Sequence, residues 1–276
     1  MKLIQGIPEL EKWPVVFNTE EFDEDSACKL LGVTLNKAEE VLVVVKDAFK
    51  EEWTTTPSTN VRAVFGHWQV EAMRHFLAII CLCKNHDLSI VADVHYRQIF
   101  EIYIQIRYYA SLDQAAKERH AEKMYAIGFI DYLDKMSVLK DHEKIKSTYK
   151  EISDALTQCD SELVNEINQA RKKKQFKWFS GSFSQLAEKV SRTGEDLRRI
   201  YQMISADVHG TLNLALDVHN PKPGHLDFRG YPDVATLYLR ATEMLYQVLT
   251  LYLNLWNEIA KSVGAESVNF ASNTDA

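Results

Sequence analysis

Ser205 and His209 stand four residues apart in the run Tyr201-Gln-Met-Ile-Ser205-Ala-Asp207-Val-His209-Gly210-Thr211. On a helix that spacing puts both side chains on one face. Leu197, Ile200, Tyr201, Ile204, Val208 and Leu212 form an apolar stripe through the same segment. Ser205 and His209 fall on one edge of it with Arg198, and Asp207 falls on the other. A histidine at such a boundary titrates near neutrality, and its neighbours move it either way. Three roles are open for His209: a general acid/base, a metal ligand, or a structural histidine bonded to a carbonyl or carboxylate.

A second polar feature lies in His95-Tyr-Arg97-Gln-Ile-Phe-Glu101. The residues around it, Ile99, Phe100, Ile102, Tyr103, Ile104, Ile106, Tyr108 and Tyr109, point all round a helix, and a helix apolar on every side is buried. Arg97 and Glu101 share one face of it. Buried charges must be paired, because leaving one alone costs several kcal/mol. Either the pair satisfies itself and fixes helix register, or it orients a third group from another helix. The segment 194–218 is the expected source of that group.

Other chemistries are poorly served. No Gly-x-Ser-x-Gly elbow is present, and a helical Ser–His pair offers no oxyanion hole. His209, Asp217, His219 and His225 crowd one region without the His-x3-His helical spacing of metal ligands. No Gly-rich phosphate loop occurs. Neither a cofactor nor a metal is expected.

The elements that must hold these residues are helical. The 276 residues are 46% hydrophobic, with 10 glycines and 6 prolines, which fits long helices and short joints. Residues 1 to about 33 read as irregular and acidic. Helices are expected from Thr34 to about Trp53, 61–84, 90–111, 113–136, 140–174, a short one after Ser182 to about Ser191, 194–218 and 233–263. No strand alternation or internal repeat is evident. The expected fold class is all-α, a multi-helix bundle with an N-terminal helical appendage. Residues 1–57 are the appendage, 58–264 the bundle core and 265–276 a disordered tail. The last helix carries Leu237, Leu239, Leu245, Leu249, Leu251, Leu253, Leu255 and Trp256, more apolar surface than one face needs. It is either central to the bundle or part of a homodimer contact.

The net charge of −7 excludes a global basic footprint for nucleic acid. Arg171-Lys-Lys-Lys174 is the one tight basic run, either a solvated face or a phosphate-binding patch. Trp178 and Phe179 follow it and either stack on bases or anchor a loop; Gly181 lets the chain turn there. Of the four cysteines, Cys81-Leu-Cys83 lies in an apolar run and reads as core. No stretch is apolar enough to span a membrane. The start Met1-Lys-Leu-Ile-Gln lacks an apolar signal region, so reduced thiols and a cytoplasmic location are expected.

Arg97-x3-Glu101 in an apolar helix, Trp178-Phe-Ser-Gly181-Ser182 before a short helix, and Tyr201-x3-Ser205-x2-Val208-His209-Gly210 together resemble a bacterial family of uncharacterised helical proteins, the domain of unknown function numbered 5677. The resemblance covers roughly residues 60–220. More distantly, the arrangement resembles the HEPN superfamily of helical bundles. Many of its members are metal-independent RNA endonucleases of toxin–antitoxin and phage-defence systems. They often dimerise, with an Arg-x4–6-His motif at the dimer cleft. That likeness implies His209 as acid/base for attack by a ribose 2′-hydroxyl and an arginine as phosphate stabiliser. Here Arg199 is ten residues upstream of His209, outside that spacing. The one formal match, Arg62-Ala-Val-Phe-Gly-His67, lacks the polar residue that usually follows the arginine.

Two functions follow as expectations. One is an RNA-cleaving, phage-defence or abortive-infection effector, with catalytic residues among His209, Ser205, Arg97, Glu101 and Arg198. The other is a non-catalytic helical module that binds a partner protein or small ligand, in which the same cluster is structural.

Overall fold

The computed structural model describes residues 2–4, 22–50, 59–85, 91–172, 181–208, 234–262 and 266–268. Among them the fold is all-α. The helices are α1 (Glu24–Lys50), α2 (Thr59–Lys84), α3 (Asp93–Ala110), α4 (Gln114–Met136), α5 (Glu143–Thr157), α6 (Ser161–Lys172), α7 (Phe183–Val190), α8 (Leu197–Val208) and α9 (Val234–Ser262). A 3-10 turn, Ser137–Leu139, extends α4. No helix among the described residues is long and apolar enough to cross a membrane.

Helix starts follow side-chain caps. The Asp23 carboxylate accepts from Ser26 N at 2.8 Å, with Glu24 and Asp25 in the first turn. α1 therefore begins ten residues before the expected start at Thr34, and residues 24–33 are not irregular. Thr34 is interior, its hydroxyl donating to Leu30 O at 2.8 Å. Asp113 caps α4 through Ala116 N at 2.8 Å. Asp196 caps α8 through Arg199 N at 2.9 Å, so α8 starts at Leu197 instead of Gly194.

The single helix expected over 140–174 is two. α5 ends at Thr157, and Asp160 caps α6 through Glu162 N at 2.9 Å. Asp160 N donates in turn to the Glu122 carboxylate at 3.0 Å. The break lets α6 turn back along α4, where Leu163 and Ile167 bury against Ala126 and Ile130. One straight helix would carry those residues away from α4.

The chain divides into two compact units: Met1–Thr56 with Phe65–Ser111 and Phe183–Ala276, and Pro57–Val64 with Leu112–Ser182. α1 packs along α9 inside the first unit. Two three-residue strands, β1 (Lys2–Ile4) and β2 (Glu266–Val268), pair in parallel in that unit. Their pairing satisfies backbone groups of both short segments.

In the first unit α9 is central. All eight of its expected apolar residues are buried, Trp256, Leu255 and Leu245 completely. α1 and α3 flank it, and α2 reaches it through Phe76, whose ring centroid is 4.6 Å from that of Tyr252. The chain's own helices cover the surplus apolar surface of α9. α3 is likewise enclosed, with Phe65, Trp68 and Tyr109 packed edge to face.

Candidate functional site

α3 and α8 bring the site together. Arg97 and Glu101 lie one turn apart on α3, and Arg97 Nε donates to Glu101 Oε1 at 2.9 Å. The α3 pair meets a third group from α8, and that group is Tyr201. Arg97 Nη2 donates to the Tyr201 hydroxyl at 3.4 Å, and that hydroxyl donates to Glu101 Oε1 at 3.3 Å. The guanidinium carbon also stands 5.8 Å from the Tyr201 ring centroid, in cation–π range. Phe183, the first residue of α7, stacks on the same ring, with centroids 5.8 Å apart and planes at 27°.

The charged partners are shielded but not sealed: 20% of the Arg97 side chain and 15% of Glu101 remain exposed. Burial works against the guanidinium charge, but the Glu101 hydrogen bond and charge outweigh it, and the Arg97 pKa is raised. Burial first, then the Glu101 charge, raise the Tyr201 phenol. Tyr201 is thus a neutral donor, positioned to bond a carboxylate that an arginine already holds.

The other expected site residues are placed differently. Ser205 is half-buried, one turn beyond Tyr201. Arg198 leaves this face and pairs with Glu188 at 2.7 Å, both side chains about half exposed or more. His209 lies outside the described residues, as do Trp178, Phe179, Asp217, His219 and His225. On α2 Arg62 is half-buried and His67 exposed, and five residues apart they do not share a face. Arg171 of the basic run bridges Asp131 and Asp134 at 2.8 and 2.9 Å. Gly181 has φ +102°, the turn-permitting conformation expected of it. Cys83 is core, its thiol pushed up to about 12 by burial, whereas Cys81 is exposed. The core reading holds for one of the two, because alternate residues on a helix face different ways.

Residues 62–225 match the family model described as Family of unknown function (DUF5677). The chain belongs to this family. The match spans the Arg97–Glu101–Tyr201 cluster and α3 to α8. No curated protein and no solved structure matches the chain.

Two polar groupings of this DUF5677 chain were not foreseen. Arg107 is 4% exposed, and its Nη1 donates to Glu195 Oε2 at 2.6 Å and to the Tyr103 hydroxyl at 3.3 Å. The signal was present: Arg107 stands in the same all-round apolar helix that marked Arg97 and Glu101 as anomalies. His75 of α2 and His95 of α3 place their Nδ1 atoms 3.0 Å apart. One must donate and the other accept. Nothing in their spacing of twenty residues announces that contact.

Proposed function

We propose that this protein is a non-catalytic helical binding module for a partner protein or small ligand, in which Arg97, Glu101 and Tyr201 form a structural lock. The observation that carries this reading is the commitment of Arg97. Its Nε is taken by Glu101 and its Nη2 by Tyr201. An arginine that stabilises a phosphate in a transition state needs its donors aimed at the substrate. This one holds Glu101 on its own helix with Nε and joins α8 to α3 with Nη2.

The HEPN-like ribonuclease reading, with a phage-defence role, needs Arg97 or Arg198 to meet a phosphate beside His209. Arg97 is engaged within the protein, and Arg198 is bridged to Glu188 on the surface. Both placements favour the binding module.

The test is expression of wild type, Arg97→Ala and His209→Ala with total RNA integrity as readout. The module reading expects intact RNA in all three. RNA fragmentation by wild type that His209→Ala abolishes would overturn it and restore the nuclease.

A further inference from the structure

About 15 Å further along α3 from Arg97, at a rise of about 1.5 Å per residue, a cavity of about 450 Å³ opens where α3, α7 and α9 end. Arg107, Lys189, Arg192 and Lys261 line it, with Glu258 the one carboxylate among its lining residues. Arg107 is the buried member, its side chain 3% exposed.

The charges do not cancel. Arg107 pairs with Glu195, and Arg192 Nη2 with Glu258 at 2.8 Å. Glu195 Oε2 also accepts from Arg192 N at 2.9 Å, so the turn through Gly194, φ +85°, fixes the carboxylate under Arg107. Lys189 lies over the Tyr108 ring at 4.9 Å. Neither Lys189 nor Lys261 has a carboxylate partner among the described residues. Among the described residues two positive charges therefore remain at the mouth. Helix C-termini attract cations, and three end here, which accounts for a lysine in the last turn of α7 and of α9. It does not account for an arginine buried behind them. Its hydrogen bonds to described residues all leave from Nη1. Its Nε and Nη2 have no described partner, and neither is among the fully enclosed unpaired atoms. A planar fork with two nitrogens unpaired among the described residues, flanked by two lysines, is matched by a tetrahedral dianion.

We propose that this cavity binds the phosphoryl group of a small molecule. Its volume falls within the range of small-ligand sites. The hydroxyls of Ser111 and Ser262 are turned to Tyr108 O and Glu258 O, so recognition rests on the cations. The proposal rests on the binding-module reading in taking the ligand as bound and not transformed.

The test is calorimetric titration of the full chain at low salt with phosphate, pyrophosphate and adenosine monophosphate. Wild type, Lys189→Gln/Lys261→Gln and Arg107→Lys are compared. Both lysines are exposed, so the double variant keeps the fold even if Arg107→Lys does not. The expected result is pyrophosphate binding that weakens at least tenfold in the double variant. Tighter binding of the nucleotide than of free phosphate identifies a phosphomonoester; equal binding identifies the free anion. Absence of binding by wild type, or equal affinity in wild type and double variant, overturns the site and leaves the lock untouched. Hydrolysis of bound pyrophosphate would keep the site and refute the non-catalytic reading.

Discussion

The Tyr201 hydroxyl lies 3.3 Å from Glu101 Oε1, across 100 residues of chain. That contact ties α8 to α3 at a point where Arg97 already neutralises the carboxylate. Both hydroxyl contacts are long, so each contributes modestly. Tyr201→Phe keeps the ring, its stacking on Phe183 and its cation–π contact. The expected cost is about 1 kcal/mol, the net worth of a hydrogen bond, read by denaturant titration. A cost near zero would show that the hydroxyl does not join the helices.

The two arginine pairs on either side of α8's start should behave oppositely. Arg107 is buried but its partner Glu195 is 36% exposed, so losing Arg107 should cost less than the about 3–5 kcal/mol of a fully buried pair. Arg198 bridges Glu188 in water, and exposed pairs contribute about 0–1 kcal/mol. Arg107→Ala should therefore melt well below wild type while Arg198→Ala melts close to it. Equal losses would contradict the burial difference.

Acid should loosen the α2–α3 contact. Burial, then the neighbouring His95, hold the His75 pKa below its ordinary 6.5. The folded state thus disfavours protonated His75 relative to the unfolded chain. The stabilisation is fully present above pH 6.5 and is lost as pH falls through the lower folded value. Melting temperature should drop as pH is taken from 7.5 to 5.5, and His75→Gln should flatten part of that drop. An unchanged slope in the variant would remove His75 from the account.

Thiol labelling separates two cysteines a residue apart. Cys81 is exposed and Cys83 is fully buried with its thiol raised to about 12. The thiolate is the reactive form, so Cys81 should label in the folded protein and Cys83 only on unfolding. Rapid modification of both in buffer would contradict the placement of α2.

How much of this was legible in the sequence varies with the kind of interaction. The enclosure of α3 and α9 could be read, because apolar residues on every side of a helix have one physical outcome. So could the Arg97–Glu101 pair, a contact four residues apart on one helix. Tyr201 was visible only as part of the α8 stripe; its hydroxyl acquires a role when α8 docks on α3. Arg107 carried the same anomaly as Arg97, but its partner Glu195 comes from a turn 88 residues away. The helix break at Gln158–Asp160 was hidden by continuous amphipathic periodicity, and the capping aspartate there was the overlooked local signal. The early start of α1 was hidden by acidic residues that read as an irregular segment, although acids in a first turn favour a helix.

The central claim is that Arg97, Glu101 and Tyr201 act as one lock. A double-mutant cycle of Arg97→Ala and Tyr201→Phe, measured by urea unfolding, tests it most directly. The account predicts a coupling energy of about 0.5–1.5 kcal/mol between the two positions, in the range expected of residues sharing one hydrogen-bond network. Strict additivity of the two losses would contradict it.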